Sequence, residues 1–193
     1  MDLAGIRAAE LVLRMADSVD LDSLDEILAI LARGGRAASA LVVARERPQT
    51  LPRDRAQQAA DVLYAAYEEH QDRAAQPLRF FETSFGGDSD YKQAEREPDE
   101  RHAAQFYAGL AALALATLYR ALGDPERQAK WLDRSRAPFL CSYRMFPPLV
   151  ESRMVVTSSF IRREPTQADL VDYRLRCDAL LAAYQAAYAR LGA

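Results

Sequence analysis

An all-α protein is predicted here from three observations. Apolar residues recur about every 3.6 positions along most of the chain, which is the period of an α-helix. Glycine and proline fall between these periodic segments. The chain has 193 residues, of which 50% are hydrophobic and 27% charged, and this is enough for one compact core. We therefore expect a single domain over residues 1–193, built from seven or eight antiparallel helices stacked as helical hairpins.

Two helices are predicted at the beginning of the chain. The first spans about Leu3–Ala16, where leucine, isoleucine and valine form an apolar stripe. The second begins at Ser23, whose hydroxyl can cap the amide of Glu26 while the glutamate carboxylate reaches back, as in a capping box. Gly34 and Gly35 are expected to end this helix, because glycine adopts a positive φ without strain.

Two further helices are predicted before residue 76. A short one over Arg36–Arg45 stops ahead of Pro48, because the residue before a proline is disfavoured in the α region. A longer one begins at Pro52, which suits the first position of a helix, and runs to Ala74. One face of this longer helix carries Val62, Leu63, Ala66 and Tyr67.

The regular pattern lapses over residues 76–98, which are first aromatic and then charged. We interpret this segment as a long functional loop or as a junction between two helical halves. Pro98 predicts a helix start, because the acidic Asp99 and Glu100 that follow complement the positive end of the helix dipole. Residues Ala103–Leu122 are apolar nearly all round, so this helix is predicted to lie at the centre of the fold.

A tight turn is predicted after the central helix. Gly123 closes that helix, Asp124 caps the next one, and Pro125 occupies its first turn. The next helix is expected to end near Arg136 and to present Ala129, Trp131 and Leu132.

The last third of the chain contains several prolines and one long helix. Pro138 and the pair Pro147–Pro148 bracket an aromatic segment. Residues 153–161 have strand-like composition and are left open between helix and strand, with helix favoured. Thr166 caps a final helix to Leu191, with an apolar stripe of Leu170, Tyr173, Cys177, Leu180, Leu181, Tyr184, Tyr188 and Leu191.

Composition argues against several classes of function. The net charge of −3 disfavours a surface that binds phosphate backbones, so no nucleic-acid partner is expected. Charged residues interrupt the first apolar stretch, and no run of about 18 uncharged apolar residues follows, so we predict a cytoplasmic protein with no membrane partner. Cys141 and Cys177 lie far apart without a CxxC motif, which predicts reduced thiols.

No catalytic, metal-binding or cofactor-binding residue is predicted. The two histidines, His70 and His102, stand in polar helical contexts and are expected at the surface. Asp99 and His102 approximate one Glu-x-x-His element of a di-metal bundle, but Tyr67 stands where a second element would need an acid. Residues Gly86–Asp90 read as a surface turn, since the ligand spacing of a calcium loop is missing.

One short segment resembles a tetratricopeptide repeat. Within Leu115–Lys130, Leu115, Ala116 and Tyr119 match the first helix of that family, and Gly123–Asp124 matches its turn. Gln128 stands at the small position of the family's second helix, and no copy recurs at a 34-residue period. What the resemblance implies is a helical-hairpin stack, which a plain hairpin of two helices would equally provide.

A partner-binding surface is predicted from aromatic and charged residues outside the periodic segments. Aromatic residues and arginine supply much of the binding energy in protein interfaces. An alternative is that the phenylalanines among them, Phe80, Phe81 and Phe85, fill the seam between two helical layers. The predicted partner-binding residues are Phe80, Phe81, Phe85, Asp88, Asp90, Tyr91, Arg144 and Phe146.

These features favour a non-enzymatic protein-binding module that masks or scaffolds a partner protein. A bacterial toxin-immunity protein is one hypothesis within this class, with a basic toxin or effector attracted by the acidic run Asp88–Glu100. A helical small-ligand binder or enzyme with a pocket between helices is the main alternative. A regulator of the TetR kind is a minor one, because residues 30–44 lack that family's turn motif. Homodimerisation through the stripe of the C-terminal helix is a further hypothesis.

Overall fold

The computed structural model describes residues 3–16, 20–32, 35–47, 52–76, 88–156 and 167–193. Side-chain surroundings are described for these residues apart from 3–4, 21, 88–100, 141–156, 167–170 and 172–174. Within this described part the chain forms seven α-helices and no β-strand, which confirms the predicted all-α class. The helices are α1 (Leu3–Met15), α2 (Leu21–Leu31), α3 (Gly35–Glu46), α4 (Pro52–Ala75), α5 (Asp88–Ala121), α6 (Pro125–Val156) and α7 (Gln167–Gly192).

Helix α5 forms the centre of the fold, as its composition predicts. Every residue from Ala108 to Tyr119 is buried. A helix with apolar residues on all sides is stable only when neighbours cover it all round. One continuous core cluster includes buried residues from all seven helices.

The turn between α5 and α6 has the predicted construction. Gly123 has a φ of 72°, a conformation that favours glycine. The Asp124 carboxylate accepts a hydrogen bond from the amide of Arg127 at 2.9 Å, and Pro125 is the first residue of α6. The two helices then run antiparallel, and a Cβ atom added at Gly109 of α5 would lie 3.0 Å from the backbone nitrogen of Phe139 in α6.

Helix α7 packs antiparallel to α6 through the predicted apolar stripe. Four described members of the stripe are buried within the chain: Cys177, Leu180, Tyr184 and Leu191. The ring of Tyr184 stacks on that of Phe139 with centroids 4.1 Å apart, and its hydroxyl lies 3.0 Å from the Oγ atom of Ser135. The fold covers these four residues, whereas Leu181 and Tyr188 of the stripe are only partly buried.

The start of α2 corrects the predicted capping box. Asp20 is the N-cap residue, and its carboxylate accepts hydrogen bonds from the amides of Asp22 and Ser23 at 3.1 and 3.3 Å. The hydroxyl of Ser23 also donates to this carboxylate, at 2.7 Å, and these hydrogen bonds lower the pKa of Asp20. The helix therefore begins earlier than predicted, and Asp20 caps the free amides of its first turn in place of Ser23. The prediction that Gly35 ends α2 is also wrong, since α2 ends at Leu31 and Gly35 begins α3 with a φ of 60°.

The boundaries predicted at Pro48, Pro52 and Pro125 are confirmed, but those at Pro98, Pro138 and Pro147–Pro148 are wrong. Helix α5 begins ten residues before Pro98, so residues 88–98 are helical and the expected irregular segment is wrong for them. Helix α6 likewise continues through Pro138 and the pair Pro147–Pro148, and residues 153–156 belong to it. The φ of proline is close to the helical value, so a helix can pass through a proline, at the cost of one backbone hydrogen bond and of a clash between the ring and the carbonyl group four residues earlier. Residues 77–87 and 157–166 lie outside the described part of the chain.

Candidate functional site

An open groove of about 620 Å³ lies between the first and last helices. Only α1 and α7 supply its described lining. Arginines and one glutamate stand beside an apolar floor, half of which is alanine. The lining residues are Ile6, Arg7, Glu10, Leu13, Arg14, Arg176, Ala179, Leu180, Ala183, Ala186 and Arg190.

The floor of the groove results from the way α7 is seated. Leu180 and Tyr184 of α7 are buried against the core, although Val171 and Leu175 nearer its start are exposed. Ala179, Ala183 and Ala186 recur at helical spacing beside that buried stripe and are exposed. Alanine lacks side-chain atoms beyond Cβ, so the backbone of α7 is open to close approach along this ridge.

The rim of the groove is electropositive although the whole chain carries a net charge of −3. Four arginines line it, and two carboxylates offset them in part: Glu10 in the lining and Glu26, which pairs with Arg7. Arg7 donates two hydrogen bonds to Glu26 of α2, at 2.9 and 3.1 Å, and this pairing lowers the pKa of the Glu26 carboxyl. The Arg7 guanidinium is thereby held in place on the rim.

The far end of the groove is tied to the rest of the bundle. The side chain of Arg120 in α5 donates to the carbonyl oxygen of Arg190 at 3.2 Å. Gln128 of α6 donates to the carbonyl oxygen of Leu191. Carbonyls in the last turn of a helix have no partner within that helix, so these two bonds secure the end of α7 against α5 and α6.

The described lining of this groove includes none of the sequence-predicted partner-binding residues. Phe80, Phe81 and Phe85 lie outside the described residues. The backbone of the others is helical, and their side chains lie outside the description: Asp88, Asp90 and Tyr91 in α5, and Arg144 and Phe146 in α6.

The prediction of two surface histidines is wrong. His70 and His102 are buried, with 7% and 9% of their surface exposed. The His70 ring stacks on Tyr107 of α5 with centroids 5.2 Å apart. The residues next to His70 along α4 are polar and suggest an exposed position. The ring is buried because α2 and α5 pack over it, and these helices are too far away in sequence to be inferred from a local pattern.

The groove arginines carry a signal that sequence inspection missed. Arg7 and Arg14 are seven residues apart, about two helical turns, and Arg176 and Arg190 are fourteen apart, about four turns. Each pair therefore lies on one helix face. The two pairs stand at opposite ends of the chain, so only the fold shows that they line one groove.

The described residues also bear on metal sites and on membrane-spanning helices. Among those residues, no group of three or more histidine, cysteine, aspartate or glutamate side chains is placed to hold a metal ion. None of the helices, within the same described residues, combines the length and apolar character needed to cross a bilayer.

Comparison of the chain with protein-family models, with curated proteins and with solved structures found no significant match. The fold and the groove define this chain as an all-α helical protein with an arginine-rimmed cleft between its terminal helices.

Proposed function

We propose that this chain is a non-enzymatic protein-binding module, and that the α1–α7 groove receives a segment of a partner protein. The observation that supports this is the pairing of an exposed alanine ridge with four arginines along one cleft. Arginine is enriched among the residues that dominate binding energy, because it combines charge, planar hydrogen bonding and apolar area. A partner segment would bury the floor and pair with the rim.

The small-ligand alternative is favoured by one quantity, the volume of the groove. A cleft of about 620 Å³ falls within the range of roughly 300–1,000 Å³ that is usual for small-molecule sites. Small-molecule sites commonly bury most of the ligand surface among aromatic side chains. No aromatic residue lines this cleft in the described part of the chain, and only two helices wall it. These features suit an elongated macromolecular segment better than a small molecule.

Site-specific photocrosslinking tests the proposal. A photoreactive amino acid replaces Ala183 on the groove floor, and the matched control replaces Gln185, which is exposed on the same helix outside the groove. We expect one stoichiometric protein adduct from position 183 in lysate of the native host and none from position 185. Equal labelling from both positions, or no protein adduct from position 183, would overturn the proposal.

The toxin-immunity hypothesis shares the protein-binding class with this proposal but uses a different surface of the chain. It expects a basic partner that contacts the acidic run Asp88–Glu100. Neutralising acids within that run should slow association with a basic partner, because complementary charge mainly accelerates encounter. Neutralising the groove arginines should leave that association rate unchanged.

A further inference from the structure

We infer that the groove binds an amphipathic α-helix of the partner that carries aspartate or glutamate along its edges. This inference rests on the proposed function above. A groove walled by two adjacent helices matches the shape of a third helix laid along it. The alanine ridge of Ala179, Ala183 and Ala186 allows the backbone of such a helix to come close, since no long side chain holds it off.

The charges on the rim select the chemistry of the occupant. Arg14 on α1 and Arg176 on α7 stand on the two walls, and four arginines outnumber the two carboxylates, Glu10 and the Glu26 that pairs with Arg7. Guanidinium groups pair with carboxylates through two parallel hydrogen bonds, so an acidic segment gains specificity as well as attraction. A basic segment would meet repulsion on both walls.

The spacing of the arginines matches a helix repeat. Arg7 and Arg14 are separated by about 10 Å along α1, and Arg176 and Arg190 by about 21 Å along α7. Carboxylates at positions i and i+7 of a bound helix recur at the same interval of about 10 Å. The occupant is thus a helix of about four turns, with apolar residues at i, i+3, i+4 and i+7 facing the floor and acids at the edges.

Binding of designed peptides to the full chain tests this inference. The probe is a fluorescent peptide of about sixteen residues with leucine and alanine on one face and glutamate at the edges. A second peptide has lysine at every glutamate position. We expect saturable binding of the acidic peptide in fluorescence anisotropy at low salt, and no binding of the lysine peptide.

Charge reversal on the protein supplies the decisive comparison. The variant Arg14→Glu/Arg176→Glu should bind the acidic peptide at least about tenfold more weakly and should gain affinity for the lysine peptide. A misfolded variant would lose binding of the acidic peptide without gaining affinity for the lysine peptide. The matched control is Arg134→Glu, an exposed arginine on α6 whose guanidinium lies over the Trp131 ring, and it should bind like the wild-type chain.

Three outcomes would overturn the inference. They are equal binding of the two peptides, unchanged binding by the double variant, and a crosslink from position 183 to a partner segment that is basic or non-helical. The crosslink to a basic or non-helical segment would still agree with the proposed function, because a partner protein would occupy the groove. Absence of any crosslinked partner contradicts the proposed function itself.

Discussion

The Nε2 atom of His70 on α4 lies 3.1 Å from the carbonyl oxygen of Leu31, the last residue of α2. Carbonyls at a helix end lack partners within the helix, so an N–H donated from His70 satisfies one of them. The other ring nitrogen, Nδ1, is buried without a hydrogen-bond partner among the described groups. The charged groups that influence the ring are Glu69 and Arg73. Burial, the largest influence, lowers the His70 pKa below its ordinary value and keeps the ring neutral.

We expect acid to destabilise the fold through His70. The unfolded chain takes up a proton near the ordinary value of 6.5, whereas the buried ring resists it to lower pH. The contribution is therefore fully present above that value and is lost as the pH falls towards the folded-state pKa, by at most about 1.4 kcal/mol per pH unit. Urea unfolding at pH about 7.5 and about 5.5 measures it. His70→Gln, which retains a donor, should show a smaller loss, and an identical loss would contradict this assignment.

Glu69 is expected to stabilise the start of α3. Its carboxylate accepts the amide of Ala37 at 3.1 Å and a hydrogen bond from Arg73 at 2.5 Å. Glu69→Ala should lower the free energy of unfolding by about 1–2 kcal/mol, because the Ala37 amide loses its partner.

The control for Glu69 is Asp72, which lies three residues further along the same helix. Asp72 forms an ion pair with Arg36, and the Asp72 side chain is 67% exposed. Exposed pairs of this kind contribute about 0–1 kcal/mol, so Asp72→Ala should cost clearly less than Glu69→Ala in the same urea titration. Equal costs would show that the cap on Ala37 contributes nothing beyond surface charge.

The close approach of α5 and α6 at Gly109 predicts that Gly109→Ala is destabilising. The added Cβ would lie 3.0 Å from the nitrogen and 3.2 Å from the Cα of Phe139, and a backbone cannot rotate away as a side chain can. We expect a loss of about 1–3 kcal/mol in thermal or urea unfolding. At Gly192 an added Cβ would meet only the Cδ2 atom of Leu132 at 3.6 Å, which is ordinary contact, so Gly192→Ala should be neutral or slightly stabilising. A neutral Gly109→Ala would mean that the two helices separate at little cost.

The buried hydroxyls of Ser135 and Tyr184 should be energetically coupled. Ser135 donates to the carbonyl oxygen of Leu132 at 2.7 Å, which leaves its Oγ atom to accept from Tyr184. Tyr184→Phe and Ser135→Ala should each cost about 1 kcal/mol, and the double variant should cost less than their sum. Urea titration of all four proteins measures this coupling. Strict additivity would show that the two hydroxyls do not interact.

Local sequence signals located most of the helices. The sequences around Gly123, Asp124 and Pro125 specify their own turn, because glycine, an N-cap aspartate and an N1 proline act within a few residues. Some prolines were misleading as boundary signals. Pro98 and Pro138 were predicted to lie at helix boundaries, but they lie inside α5 and α6. Proline restricts φ to a value that helices share, so its effect depends on packing that lies elsewhere in the chain.

Periodicity along the chain determined that this protein is helical and which residues face its core, because both follow from contacts within about four residues. The tertiary structure alone decided which helices are neighbours. The burial of His70 depends on α2 and α5, and the groove depends on α1 meeting α7 from the opposite end of the chain. Neither can be read from a local pattern, because the energies that assemble them come from apolar surfaces that are far apart in sequence and are buried together only on folding.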